Sequence, residues 1–142
     1  MISRTIFSSI LNKIKDKNKK AIIIYGARQV GKTTLVKQIK KTFEGKSEYY
    51  NCDFLDIQDL FSYSKAQFLI DKIKHLNLLI LDEAQRVENI GIVLKIIIDN
   101  LPDLQIIATG SSSFDLSNKI NEPLTGRKIV YQLFPFSFEE LH

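Results

Sequence analysis

Cysteine, proline, glycine and histidine are all scarce in this 142-residue chain, and each scarcity removes a class of protein. The single cysteine, Cys52, cannot close an internal disulfide, so a secreted, cross-linked scaffold is excluded. Lying beside a predicted strand, it reads as a small core residue. Only three prolines and six glycines accompany 44% hydrophobic and 25% charged residues, a composition that excludes disorder as the main state. The two histidines, His75 and His142, fall in no metal-ligand spacing, and no catalytic-triad spacing is present. No apolar run approaches the roughly 20 residues of a membrane helix. The greasiest stretch, Ile90 to Ile98, is short and broken by Lys95. The N-terminus mixes apolar residues with Arg and Lys, and shows no signal-peptide core or cleavage site. The expectation is a cytoplasmic protein with no membrane partner. Internal repeats and low-complexity segments are also missing, and the length is that of one domain.

What is present is basic charge and apolar periodicity. Twenty Lys and Arg stand against sixteen Asp and Glu, for a formal charge of +4. Much of the excess lies in Lys13 to Lys20. No aromatics interleave with these lysines, so the run reads as a solvated helix end and linker rather than a nucleic-acid groove. Ile2, Ile6, Ile10 and Ile14, with Phe7 and Leu11, share one helical face and predict an amphipathic helix over 3–16. Ala21 to Tyr25 predicts a strand buried on both faces, since three consecutive isoleucines show no alternation. Further strands are expected at Ser47–Cys52, Leu76–Leu81, Leu104–Ala108 and Arg127–Leu133. Helices are expected up to Phe43, over Asp56–Lys74 with a break near Ser62–Ser64, over Val87–Asn100, and from Ser137 to Leu141. In the helix from Val87, Ile92 and Ile96 add a second apolar face. Strands alternating with helices give an α/β three-layer sandwich around a parallel five-stranded sheet.

Four segments carry chemistry. GARQVGKT, Gly26 to Thr33, satisfies G-x-x-x-x-G-K-[ST]. Gly26 and Gly31 permit backbone angles and close approach that a side chain would block. The loop of Gly26, Ala27, Arg28, Gln29, Val30 and Gly31 can then turn its N–H groups toward a phosphate chain, and the next helix presents its positive end to the same anion. Lys32 supplies a point charge for the β- and γ-phosphates, the Thr33 hydroxyl a ligand for Mg²⁺, and Thr34 a contact to the α-phosphate. LLILDEAQ, Leu78 to Gln85, is an apolar strand ending in two acids. Asp82 stands where ligands of open α/β sheets bind and is placed to hold the magnesium, while Glu83 can orient the attacking water. Without the upstream loop, the pair would read as a helix start.

IIATGSSSF, Ile106 to Phe114, ends a buried strand in small polar groups. Thr109, Ser111 or Ser112 could hydrogen-bond the γ-phosphate or the water; Ser111 is favoured, and an ordinary helix cap is the plainer reading. LTGRK, Leu124 to Lys128, offers Arg127 for the charge that gathers on the γ-phosphoryl group, in its own site or in a neighbouring subunit. Arg28 is the other candidate, and a surface salt bridge is the plainer reading of both.

Together these segments resemble the AAA-type branch of P-loop ATPases. GARQVGKTTL, LDEAQ, TGSSS, LTGR and LFPFSFEEL more narrowly resemble a family of prokaryotic ATPases that read GPRQVGKTT, LDEIQ, GSSS, LAGR and PLSFxE. Ala27 replaces the usual Pro, and Pro135–Phe136 stands where Pro-Leu is common. The resemblance implies an AAA-type ATP-binding domain over 1–142, with helix and linker at 1–19 and the P-loop core at 20–142. Longer members continue into a C-terminal domain with nuclease-like affinities; the expectation is that this chain stops short of it, as a short form or a fragment. The expected activity is magnesium-dependent ATP hydrolysis that drives or switches a partner, with self-association and a DNA or protein partner open. The alternative is a nucleotide-gated binding module with little turnover of its own. A small-molecule kinase is disfavoured by the Asp82–Glu83 pair. A GTPase is disfavoured because Asn118–Lys119 begins a guanine motif that Asn121 fails to complete, and no D-x-x-G follows the loop.

Overall fold

The computed structural model describes residues 4–27, 31–111, 119–120 and 123–134. The chain runs α1 (Arg4–Ile14), β1 (Ala21–Tyr25), α2 (Lys32–Thr42), β2 (Ser47–Asn51), α3 (Leu55–Leu60), a 3-10 turn at Tyr63–Lys65, and α4 (Ala66–Ile73). It continues through β3 (Leu78–Asp82), a second 3-10 turn at Ala84–Arg86, α5 (Ile90–Asn100), β4 (Gln105–Gly110) and β5 (Lys128–Gln132). The five strands form one sheet in the order β2-β3-β4-β1-β5, every pair parallel. The expected helix at Ser137–Leu141 lies outside the described residues.

Alternation along the central strands divides the core into two layers. Ile22 and Ile24 of β1, Leu78 and Ile80 of β3 and Ile107 of β4 point to one face, covered by Ile10 and Ile14 of α1 and Leu35, Val36 and Ile39 of α2. Ile23, Leu79, Leu81, Ile106 and Ala108 point to the other, covered by Leu69 and Ile73 of α4 and Ile90, Val93, Leu94 and Ile97 of α5. A strand covered on both sides has no polar face, which is why AIIIY and LLILD are buried throughout. β2 and β5 are edge strands and stay half-exposed.

The element boundaries differ from expectation where special backbone angles intervene. The helix expected from Val87 begins at Ile90, because Asn89 takes φ +55° and Ala84–Arg86 close a 3-10 turn first. Ile92, on its second apolar face, is 44% exposed, so α5 presents a surface rather than being buried all round. β4 extends to Gly110, two residues beyond expectation, and so takes Thr109 into the sheet. Among the described residues, no helix is long and apolar enough to cross a membrane.

Candidate active site

The phosphate-type loop leaves the carboxyl end of β1. Gly26 is tied to the neighbouring strand by its N–H, which donates to the Gly110 carbonyl (3.1 Å). Gly31 caps α2 at φ +94°, the left-handed region where a side chain is disfavoured. Arg28, Gln29 and Val30 lie outside the described residues. Lys32 opens α2 and is only 3% exposed. Its ammonium donates to the carbonyls of Gly26 (2.7 Å) and Ala27 (3.0 Å) and stands 3.9 Å from Glu83 Oε2. A buried ammonium is costly unless paired, and here the loop's own carbonyls and one carboxylate satisfy it. The loop thus holds a cation beneath its mouth.

Asp82, the last residue of β3 and 2% exposed, gathers three hydroxyl donors. Thr33 Oγ1 (2.7 Å) and Tyr49 Oη (2.5 Å) donate to Oδ2, and Thr109 Oγ1 (2.5 Å) donates to Oδ1. Each bond to a buried carboxylate is worth roughly 1.5–3 kcal/mol, so the group is firmly oriented. Thr109 also accepts the Glu83 N–H (3.0 Å), joining the two acids to β4. Burial, then the Asp82 carboxylate, push the Tyr49 phenol far above its ordinary range, so it remains a donor at any working pH.

Glu83 holds φ +57°, ψ +48°, a left-handed conformation that costs a non-glycine residue on the order of 1–3 kcal/mol. The kink turns its side chain back beside the loop. Gln85 then bridges two expected site residues: its Nε2 donates to Glu83 Oε1 (2.9 Å) and to Ser111 Oγ (2.9 Å). The Gln85 Oε1 atom is buried with no partner among the described residues. Lys119 Nζ secures this turn by donating to the Gln85 carbonyl (2.6 Å).

A polar cavity of about 460 Å³ opens above these groups, lined by Gly31, Lys32, Thr33, Thr34, Asp82 and Glu83 together with Lys37, Tyr49, Asn51 and Asp53. Its hard oxygen donors, the Asp82 carboxylate and the Thr33 hydroxyl, suit Mg²⁺. Among the described residues no larger His, Cys, Asp or Glu cluster able to hold a metal is present.

Lys32, Thr33, Thr34, Asp82, Glu83 and Ser111 are therefore brought together, and Arg127 is not. Arg127 precedes β5, where its carbonyl accepts the N–H of Ala21, the first residue of β1. That is the amino edge of the sheet, opposite the loop, and the Arg127 guanidinium pairs there with Asp99. A role for Arg127 within its own site is thereby corrected: the whole length of β1 separates it from the phosphate loop. Ser112 lies outside the described residues. Tyr49 and the bridging role of Gln85 went unread in the sequence. For Tyr49, the signal was the parallel register, which sets Asn51 beside Asp82 and Tyr49 two residues back on the same face.

An AAA domain family model, AAA_14, matches residues 18–142. The chain belongs to this AAA family. The chain is 33% identical over 138 residues to the uncharacterized protein MJ1637 of Methanocaldococcus jannaschii, covering 89% of this chain and 28% of that protein. The chain thus spans less than a third of the curated relatives it matches. Among solved structures, the Walker-type ATPase PABY2304 of Pyrococcus abyssi superposes with a TM-score of 0.65 at 18% identity, over 96% of this chain and 54% of that one. A DNA replication initiation factor superposes with a TM-score of 0.56 at 20% identity, over 92% and 45%. These likenesses show a P-loop ATPase fold for the AAA domain.

Proposed function

We propose that this AAA domain binds ATP with Mg²⁺ in the 460 Å³ cavity and hydrolyses it to switch a partner. The carrying observation is the convergence, around that cavity, of the buried Lys32 ammonium, the Asp82–Thr33 pair and the Glu83 carboxylate. Triphosphate binding would exchange the Lys32 contacts to Gly26 and Ala27 for stronger, charge-assisted bonds to phosphate oxygens. Asp82 and Thr33 would hold Mg²⁺, which supplies charge neutralisation on the β- and γ-phosphates. Glu83 would orient the attacking water and accept its proton, and Ser111 would hold that water or a γ-oxygen. Thr34 and the loop N–H groups would contact the remaining phosphates. Arg127, if it completes the site, does so from a neighbouring subunit after leaving Asp99.

A second reading, a nucleotide-gated binding module with little turnover alone, is favoured by one observation. Both Glu83 oxygens are already engaged, by Gln85 and Lys32, and Arg127 faces away.

Titration of a fluorescent ATP analogue with Mg²⁺, with phosphate release followed in parallel, tests both. Lys32→Ala should lose binding. Glu83→Gln should keep binding and lose turnover by a hundredfold or more. Turnover per chain that rises with protein concentration, and vanishes in Arg127→Ala, would support the trans arginine. Binding without turnover at any concentration would favour the gated module. Magnesium-dependent binding that is absent from the wild type would sink both readings.

A further inference from the structure

The formal charge of +4 hides a division. Residues 1–46 carry twelve Lys and Arg against two acids, Asp16 and Glu44; residues 47–142 carry eight against fourteen. The fold turns this division of sequence into a division of surface, because 1–46 supplies both helices of one layer, α1 and α2.

The lysines concentrate further, at one edge. β1 and β2 are parallel members of the sheet and start at the same edge. The linker carrying Lys15, Lys17 and Lys20 enters that edge at Ala21, and α2 returns to it with Lys40 and Lys41 in its last turn before Lys46 leads into β2. A chain of hydrogen bonds fixes the ends of this band. Asn77 N–H donates to the Lys46 carbonyl (2.7 Å), Gln105 N–H donates to the Asn77 carbonyl (3.1 Å), and Gln105 Nε2 donates to the Lys20 carbonyl (2.8 Å). Three strand spacings separate β2 from β1, about 14 Å. That compares with the roughly 12 Å width of a DNA major groove, so lysines at the two ends can reach the backbones that flank it.

Lys13, Lys15, Lys17, Lys20, Lys41 and Lys46 are all exposed. None of them takes part in an ion pair among the described residues, whereas Lys65, Lys74, Arg86 and Arg127 all do. The large apolar side chains that are exposed, Phe54, Leu55, Tyr63, Phe68, Ile92, Val130 and Phe134, belong to other elements. Among the described residues the basic band therefore carries no exposed large side chain of the kind that anchors an interfacial helix in lipid or stacks single-stranded bases. What it offers is a set of exposed point charges.

We propose that the amino edge of the α1–α2 layer is a sequence-independent docking surface for duplex nucleic acid, read through its phosphates. It lies opposite the ATP cavity, so docking neither requires bound nucleotide nor blocks it.

The test is a salt titration of the 142-residue chain against a labelled 20-base-pair DNA duplex of mixed sequence. Neutralising about five phosphates gives a slope near −4.5 in log K against log salt. The triple variant Lys13→Glu, Lys17→Glu, Lys41→Glu should weaken binding at least tenfold and flatten the slope. Lys65→Glu, Arg86→Glu, Lys95→Glu makes the same change in net charge away from that edge and should stay within twofold of wild type. Lys32→Ala should bind duplex like wild type, so failure of the ATP reading leaves this one standing. No duplex binding at low salt, equal loss from both triple variants, preference for the matching single strand, or binding only to phosphatidylserine vesicles would each overturn the proposal. Where the charge-reversal variant folds poorly, Lys13→Gln, Lys17→Gln, Lys41→Gln takes its place and should flatten the same slope.

Discussion

At the scale of single residues, the site is a competition for one carboxylate oxygen. Asp82 Oδ2 accepts from both Thr33 and Tyr49, and the Asp82 carboxylate with the Thr33 hydroxyl would hold magnesium. Thr33 can leave that bond and still serve the metal through its own lone pair. Tyr49, an edge-strand phenol stacked beneath the Lys37 ammonium (5.2 Å to the ring centroid), can only compete. Tyr49→Phe should therefore lower the Mg²⁺ concentration needed for half-maximal binding of the ATP analogue, by roughly ten- to a hundredfold for one charge-assisted bond removed. The readout is binding, not turnover. An unchanged or raised requirement would mean that the phenol helps to build the metal site.

At the scale of elements, α5 and the segment after β4 meet at a glycine. A Cβ on Gly91 would stand 2.1 Å from the Lys119 carbonyl and 3.0 Å from Pro123 Cγ. Lys119 in turn holds the turn that carries Gln85. Gly91→Ala, although it favours helix formation locally, should lower the thermal midpoint and impair hydrolysis more than nucleotide binding, because the backbone of 119 must move. A stabilised variant with full activity would show that the segment yields at no cost. Elements of this kind were partly legible beforehand. The strand cores, the loop and the acidic pair stood out because their apolar runs and glycines have few other physical uses. The start of α5 did not, since nothing in Val87–Asn89 announces two successive turns, one with a positive φ. Thr109 was one candidate among several until the strand was seen to reach Gly110. Gln85 and Tyr49 act through distances between separate strands and turns, which periodicity along one segment does not encode.

At the scale of the whole molecule, stability should have an alkaline edge. Burial, and then the carboxylates of Asp82, Asp53 and Glu83, push the Cys52 thiol from 9.0 up to about 12. Burial and Glu48 push the Tyr50 phenol from 10.0 to about 12, and Tyr49 shifts the same way. All three groups are neutral in the fold and ionise earlier once unfolded. Their contribution is thus intact below about pH 9 and is lost as pH rises toward 12, because the unfolded chain releases protons first. The thermal midpoint should fall across that window, and less steeply in Cys52→Ala. A flat profile to pH 11 would contradict this account. Arg127 became interpretable only at this scale: its motif pointed to a phosphate, but parallel pairing of β5 with β1 puts the start of each strand at the edge away from the loop. The strand order has a further consequence, in time. β1, which carries the phosphate loop, is synthesised first among the strands yet lies between β4 and β5, which are synthesised last. On the ribosome, the nucleotide site waits unbuilt, its apolar strand unpartnered, until nearly the whole domain has emerged.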